Sequence, residues 1–461
     1  MLTTPLFTRE ECFLYLMLRS FLFSRSSKRL PPGTTGWPLV GDMLKFATLG
    51  PEKYVNEGMN KFSPEVFRTS LMGEKMAVVC GPAGNKFIFS NENKLFASWL
   101  PLSLKRVLVF PSHSENSKEE ISALKRNFMH EILKPDALRH YIPIMDSMAR
   151  KHLDEEWEPH EQVKVFPFIE DPERINRIFD HFSRITSGMF SVPIALPGTA
   201  YSRAIRGGKM IREALLEVVR QRGKELSVKK DSGASKDLLS RLLRAVDDRN
   251  DKLMNEKEIV NNIIGLLIAS YDTTSSAVSM VLNYLAQLPQ VYNEVLREQM
   301  EIAKHKAPGE LLTWEDIVKM KYSWNVAREA LRLAPPAQGS FREAITDVSY
   351  AGFTIPKGWK IFWTVHSTHK NSQYFSDPER FDPSRFEGSG PAPFTYIPFG
   401  GGPRMCPGKE YARLEILVLM HNVVTRFKLE KAIPNEEIVF QASPTPSHGL
   451  LVRLHPHEKS N

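Results

Sequence analysis

Apolar residues recur along this chain mainly at helical spacing, with a few short alternating segments that are typical of strands. Residues 255–288 lack proline and are mostly apolar in their middle, which predicts the longest helix, running through the core. Residues 119–157 and 201–225 have the pattern of long charged helices. Residues 67–80 indicate two short strands around a glycine turn, and residues 348–365 also indicate strands. The pattern predicts a mainly α fold with a minor β-sheet in a single domain.

Composition and charge narrow the class of protein. The chain has 461 residues and 25% charged residues, which is ordinary for a globular protein. Its net charge of +8 is compatible with nucleic acid, an anionic membrane or an acidic protein partner. No long basic run is present, so no nucleic acid partner is expected. The three cysteines, Cys12, Cys80 and Cys406, have neither zinc-site spacing nor the spacing of covalently attached haem.

A short apolar segment lies near the N-terminus, at residues 12–23. A membrane-spanning helix needs about 20 apolar residues, and this segment is shorter. Basic residues follow it, and a proline-rich hinge begins at Pro31. We therefore expect residues 1–30 to form a membrane anchor or an interfacial helix with cytosolic basic flanks. A soluble N-terminal helix is the alternative interpretation.

The most informative segment is residues 399–408, with the sequence FGGGPRMCPG. It places Cys406 just before an apolar segment that predicts a helix, whose free N–H groups favour a thiolate. Arg404 adds positive charge, and the glycines allow the backbone to approach a flat ligand closely. A lone cysteine in such surroundings is suited to bind iron through sulfur, as in a haem with a thiolate axial ligand. The alternative is a glycine-rich turn with a buried cysteine.

Residues 399–408 make the chain resemble the cytochrome P-450 superfamily of haem-thiolate monooxygenases. Residues 403–415 (PRMCPGKEYARLE) are similar to the plant triterpenoid oxidases of the β-amyrin 28-oxidase group. The resemblance runs from about residue 30 to the C-terminus. It implies a single-domain P-450-like fold with a long central helix, in which residues 31–461 form the catalytic domain. It also implies haem b as cofactor, with Cys406 as its iron ligand and Phe399 and Gly400 among its contacts.

The predicted long helix contains an acid followed by hydroxyls, Asp272 and Thr273, among apolar residues. Burying such a group is costly unless it has a partner or a purpose. Activation of O2 needs protons, so Thr273 is expected to hydrogen-bond the iron-bound oxygen or to hold a water, and Asp272 to relay protons from solvent. The alternative is a solvated stripe on a surface helix. Ser270 stands where the family pattern has glycine.

Further roles follow from the resemblance. Arg404 and Arg342 match positions that bind the haem propionates, and Lys125 is the third candidate, with Arg126 as the fallback. A solvated basic face explains the last two equally well. A structural cluster is also implied by matching positions: Glu329, Arg332 and Arg380.

One segment departs from the family pattern. Between residues 167 and 170 the chain has only Phe168 and Ile169 where related sequences carry an apolar helix of about 15–20 residues. Losing a buried face of that size costs many side-chain burials, each of about 1.5–3 kcal/mol. We expect this chain to lack about one helix there, as a splice product or through an incorrect gene model.

The sequence therefore predicts a monooxygenase that inserts one oxygen atom of O2 into a C–H bond of a lipophilic, triterpenoid substrate. The expected partners are an NADPH-dependent reductase, O2 and a membrane surface, with the chain as a monomer on the cytosolic face of the endoplasmic reticulum. Two alternatives remain: a haem-deficient pseudoenzyme and an O2-independent haem-thiolate isomerase. The intact Asp272–Thr273 pair favours the monooxygenase.

Overall fold

Helices dominate the computed structural model, which describes residues 29–37, 41–101, 106–107, 128, 131–165, 184–185, 188, 195–228, 237–246, 252–440 and 443–457. Within these ranges the α-helices are α1 (Met43–Lys61), α2 (Gly81–Ser90), α3 (Pro135–Leu138), α4 (Ile142–His152), α5 (Ala200–Val228), α6 (Leu238–Arg244), α7 (Glu256–Gln287), α8 (Pro289–Lys304), α9 (Trp314–Lys319), α10 (Lys321–Leu333) and α11 (Lys409–Val424). The strands are short.

The strands are β1 (Val66–Leu71), β2 (Glu74–Val79), β3 (Phe96–Ser98), β4 (Gln162–Lys164), β5 (Gly339–Ala344), β6 (Val348–Tyr350), β7 (Phe353–Ile355), β8 (Lys360–Thr364), β9 (Phe427–Lys431), β10 (Ile438–Phe440), β11 (Pro444–Pro446) and β12 (Leu451–Pro456). The predicted mainly α class with a minor sheet is confirmed.

The chain divides into two compact units, of which the first contains residues up to Cys80, Asn91–Trp99 and Phe341–Trp363. Its five-stranded sheet has the order β1-β2-β8-β5-β3. The two strands predicted around a glycine turn are β1 and β2, which pair antiparallel, and β2 pairs parallel with β8. Buried side chains of α1 and the sheet, such as Phe67 and Phe362, form its core. Because strand side chains alternate between faces, one face of the sheet can supply this core.

The second unit contains most of the helices, and α7 is the longest of those described. Asn255 caps α7 through the backbone N–H of Glu258, and the Glu258 side chain accepts from the Asn255 N–H in return. The predicted helix over 255–288 is therefore confirmed. Its second half packs against α10 and α11 through buried residues that include Val281, Val326 and Leu419.

The predicted helix over 119–157 is wrong where the structure describes it, because the chain breaks before Pro135. Lys134 has an extended backbone (φ −73°, ψ 155°), and Pro135 opens the short helix α3. A proline disfavours the helical conformation of the residue before it, which explains the break. The three-residue 3-10 turn Arg139–Tyr141 follows, and then α4.

Two expectations concern residues outside the described ranges. The apolar segment 12–23 and the proposed missing helix near 167–170 both lie there. Within the described part of the chain, no helix combines the length and apolar character needed to cross a membrane.

Candidate active site

Residues 399–408, called here the cysteine loop, lead directly into α11. A 3-10 turn spans Gly402–Arg404, and the N–H of Cys406 donates to the Phe399 carbonyl at 2.9 Å. α11 begins at Lys409, and no side chain caps its start. The thiol of Cys406 therefore lies three residues before the N-terminus of a helix, and it is exposed. This placement agrees with the sequence prediction for the loop.

The glycines of this loop make a close approach within the protein itself. A Cβ at Gly401 would lie 2.5 Å from the ring of Phe89. Gly402 has φ +66°, and a Cβ there would lie 2.5 Å from the Phe89 carbonyl oxygen. These two glycines let α2 pack against the loop, whereas the sequence suggested a flat ligand as the reason for them.

The predicted acid and hydroxyl lie on α7 at a place where the helix is partly uncovered. Leu267 is 40% exposed, whereas the helix is buried from Ser275 onwards. Burial raises the pKa of Asp272 to about 6, so its carboxyl holds a proton for part of the time near neutral pH. The Thr273 hydroxyl donates to the carbonyl of Ala269, one turn back. A group that titrates near neutral pH beside a hydroxyl can pass protons.

The structural cluster is centred on Arg332, whose side chain and that of Glu329 are completely buried. The Arg332 guanidinium donates to both Glu329 oxygens, at 2.7 and 2.8 Å. It also donates to the carbonyl oxygens of His369 and Pro378 at 2.7 Å and of Arg380 at 3.2 Å. All five guanidinium N–H groups thereby find acceptors, as a buried arginine requires. The predicted Glu329–Arg332 pair is present.

The third charged side chain of this cluster is Arg385, and the expectation of Arg380 is corrected. Arg385 Nε lies 3.3 Å from Glu329 Oε1, whereas Arg380 contributes its backbone carbonyl. Both arginines stand in a Pro-x-Arg-Phe sequence, at 378–381 and at 383–386. The second copy forms a 3-10 turn whose start is capped by Asp382, and this turn brings Arg385 to Glu329. The repeat of the short sequence was the signal that could have identified Arg385.

A histidine connects the cluster to the segment before the cysteine loop. The carbonyl of His369 accepts from Arg332, and its ring Nε2 accepts from the Ile397 N–H at 2.9 Å. Burial lowers the pKa of His369 to about 3, so the ring is neutral and can accept this bond. The ring also stacks on Tyr396. Through these bonds Glu329 and Arg332 support the chain two residues before Phe399.

The other predicted cofactor contacts are distributed as follows. Phe399 is partly buried against the core of the second unit, and Gly400 has φ +71° in the same loop. Arg404 ends the 3-10 turn before Cys406 and is half-buried. Arg342 belongs to the first unit, where it is 4% exposed and pairs with Glu92 at 2.8 Å. Lys125 and its fallback Arg126 lie outside the described residues.

One polar group near the cysteine loop was not found from the sequence. Glu415 lies on α11 with the hydroxyls of Tyr411 and of Thr274, the residue after Thr273 on α7, in its surroundings. Burial raises the pKa of Glu415 to about 7, although these two hydroxyls lower it. The Tyr411–Glu415 spacing of four residues places them on one helix face, and this is the signal that the sequence offered.

Comparison with known proteins defines the class. The cytochrome P450 family model matches residues 31–169 and 159–449. The retinoic acid-bound cyanobacterial CYP120A1 is a solved structure with 31% identity and a TM-score of 0.82, covering 94% of this chain and 100% of that chain. The chain therefore belongs to the cytochrome P450 family, and the predicted P-450-like fold is confirmed.

Curated relatives are more similar. A β-amyrin 6-β-monooxygenase from Solanum lycopersicum is 55% identical, over 96% of each chain. β-Amyrin 28-monooxygenases from Solanum lycopersicum and Kalopanax septemlobus are 50% identical over at least 96% of each chain. This protein is a monooxygenase of that family, and membership implies a haem-thiolate cofactor, a redox partner, O2 and a lipophilic substrate.

Proposed function

We propose that this protein oxidises a pentacyclic triterpene of the β-amyrin type, with haem b ligated by the thiolate of Cys406. The main support is the exposed Cys406 thiol just before α11, in a chain 55% identical to a β-amyrin oxidase. The site residues fit such a group. An exposed sulfur and an exposed apolar stretch of α7 around Leu267 belong to the same unit.

Each site residue then has a definite task. A bound haem supplies O2 activation and the insertion of one oxygen atom into a C–H bond. Cys406 would hold the iron, and the positive end of the α11 dipole would favour its thiolate form. Arg404, Arg342 and Lys125 would offer positive charge to the propionates. Phe399 and Gly400 would shape the loop.

Asp272 and Thr273 would handle protons on the other side of the site. Asp272 titrates near 6, so it can take a proton from solvent and release it at neutral pH. The Thr273 hydroxyl, which rests on the Ala269 carbonyl, can rotate to donate to a bound oxygen or a water. Both side chains therefore serve the delivery of protons.

Replacing Thr273 with alanine tests this assignment. We expect product formed per NADPH consumed to fall by about tenfold or more, because a positioned proton donor contributes on that scale. NADPH consumption should continue, with peroxide released in place of product. Thr273→Ser keeps the hydroxyl and is the matched control. Unchanged coupling in Thr273→Ala would remove the proton role.

The substrate proposal is tested by incubating the protein with β-amyrin, an NADPH-dependent reductase and O2. We expect an oxidised triterpene that contains one atom from labelled O2, and mass spectra of the product identify the oxidised carbon. A reduced carbon monoxide spectrum with the thiolate band separates the enzyme from a haem-deficient pseudoenzyme. Conversion of substrate without O2 would indicate an isomerase.

The partner and location follow from the same proposal. An NADPH-dependent reductase would dock near the cysteine loop, where Lys409 begins α11 and can attract an acidic partner. The chain would act as a monomer at the cytosolic face of the endoplasmic reticulum, with residues 1–30 touching or entering the membrane. Salt-sensitive reduction by the reductase would support the docking site.

We propose further that residues 31–461 form the catalytic domain and lack about one helix near 167–170. The support is that the family model matches in two segments, which meet at residues 159–169. A short insertion at that point should therefore restore packing that related chains possess.

This proposal predicts the effect of inserting the corresponding segment of a 50–55% identical relative after Pro167. We expect the haem content per chain and the thermal midpoint both to rise, because the added helix buries apolar side chains worth about 1.5–3 kcal/mol each. A scrambled segment of the same composition is the control. Equal haem content in all three proteins would contradict the proposal.

A further inference from the structure

A short two-stranded ribbon is hydrogen-bonded to the central helix α7. Strands β10 and β11, called here the ribbon, pair antiparallel, with Phe440 opposite Pro444 at one end and Ile438 opposite Pro446 at the other. Ser276 on α7 is completely buried, and its hydroxyl donates to the Pro444 carbonyl at 2.6 Å. This bond joins residues that are 168 positions apart and fixes one end of the ribbon to the helix.

The bonded serine lies on the face of α7 that carries Asp272 and Thr273. Ser276 follows Asp272 by four residues and Thr273 by three, and residues at these spacings are neighbours on a helix surface. At 1.5 Å per residue, Ser276 is about 4.5 Å from Thr273 along the helix axis. The ribbon end at Pro444 therefore borders the part of α7 that holds the proposed proton path.

The ribbon has few hydrogen bonds of its own. Proline has no backbone N–H, so Thr445 is the sole backbone donor among the three residues of β11. A two-stranded ribbon is only marginally stable by itself. One end is closed by the Ser447 N–H, which donates to the Glu437 carbonyl at 2.8 Å. The hydrogen bond from Ser276 holds the other end, so the position of that end depends on α7.

The serine of the next turn has no such partner. Serine and threonine inside a helix often bond to the carbonyl one turn back, as Thr273 does with Ala269. Ser276 instead donates to a residue outside its own helix. Ser279 is also completely buried, but its hydroxyl makes no hydrogen bond with any described residue. The helix thus contains two buried serines of which one holds the ribbon.

We propose that Ser276 is a positioning residue, which fixes the ribbon as a wall of the substrate site and thereby determines which carbon is oxidised. The inference rests on the proposed function and adds a determinant of its regiospecificity. A polycyclic hydrocarbon with few polar groups offers many similar C–H bonds, so the walls of the site must select the one that reacts. The ribbon has apolar surface for this contact, since Ile438 and Val439 are partly exposed and Phe440 is 45% exposed.

The first test compares Ser276→Ala with Ser279→Ala in the haem-loaded full chain, supplied with β-amyrin, a reductase and O2. Both substitutions remove one buried hydroxyl from the same helix, but only the first removes a hydrogen bond to the ribbon. We expect the ratio of the main product to its positional isomers to fall about fivefold in Ser276→Ala, the factor for one hydrogen bond. Ser279→Ala should keep the wild-type ratio.

A second substitution at the same position separates positioning from general damage. Ser276→Cys retains a weak donor of similar size, so its product ratio should fall between those of the wild type and Ser276→Ala. All three variants should keep the wild-type haem content and thiolate band, because none of them changes Cys406. A wild-type product ratio in Ser276→Ala at normal haem content overturns the positioning role.

Amide hydrogen exchange tests the contact without haem or substrate. Residues 438–440 and Thr445 should exchange about fivefold faster in Ser276→Ala than in Ser279→Ala, because local opening of the ribbon becomes easier. Exchange in β9 and β12, which belong to a separate sheet, should be equal in the two variants. Equal exchange in the ribbon overturns the proposal. Faster exchange in a chain that binds no haem supports the contact and overturns only the proposed function.

Discussion

Replacing Cys406 with serine is expected to remove the thiolate band from the reduced carbon monoxide spectrum and to bring triterpene oxidation below detection. A serine hydroxyl remains protonated at neutral pH, so it offers iron no anionic sulfur and no comparable electron donation. The backbone should be unaffected, because the Cys406 thiol is exposed and its N–H bond to Phe399 does not involve the side chain. The measurements are the spectrum, the haem content and the product yield.

Cys80 provides the matched control for this substitution. It is a cysteine buried in the core of the first unit, where burial raises its pKa and keeps it a thiol. Cys80→Ala should retain the thiolate band and lose some stability through the small cavity it creates. If Cys406→Ser still shows a thiolate band and forms product, the identification of the iron ligand is wrong.

Replacing Arg332 with lysine is expected to lower the free energy of unfolding by about 3–5 kcal/mol. Lysine keeps the charge but has three donors in place of the five that Arg332 uses. The change leaves carbonyl oxygens and part of the Glu329 carboxylate without partners in a completely buried place. Breaking a buried ion pair costs about 3–5 kcal/mol, compared with a total stability of about 5–15 kcal/mol.

Denaturant unfolding followed by helical circular dichroism measures this loss. Arg297→Lys is the control, since Arg297 forms an exposed pair with Glu294 on α8, and such pairs contribute about 0–1 kcal/mol. The Arg332 variant should also fail to retain haem, because the cluster supports Ile397 through His369. Equal unfolding midpoints for the two variants would show that the cluster is not a main source of stability.

Local sequence signals were sufficient to predict those elements whose structure is determined by neighbouring residues along the chain. The capping residues of α7, the glycine turn between β1 and β2 and the helix after Cys406 all follow from neighbouring residues. The same is true of the Glu329–Arg332 pair, whose spacing places both side chains on one helix face.

Features that depend on tertiary contacts were missed or misassigned. The arginine whose side chain pairs with Glu329 is Arg385 and not the predicted Arg380. The 3-10 turn after Asp382 decides which arginine reaches Glu329, and its direction depends on tertiary contacts. Gly401 and Gly402 are required because Phe89 of α2 packs closely against them. This packing cannot be predicted from residues 399–408 alone. Glu415 resembles any glutamate of a helix until the fold shows that burial raises its pKa.

The route from Glu329 through Arg332 and His369 to Ile397 has a practical consequence for protein engineering. A crossover point anywhere between residues 329 and 397 would join halves from different parents across this set of buried hydrogen bonds. Chimeras with related oxidases should therefore exchange residues 329–408 as one block. Recombination libraries that respect this boundary should yield a larger share of pigmented clones than libraries cut at random.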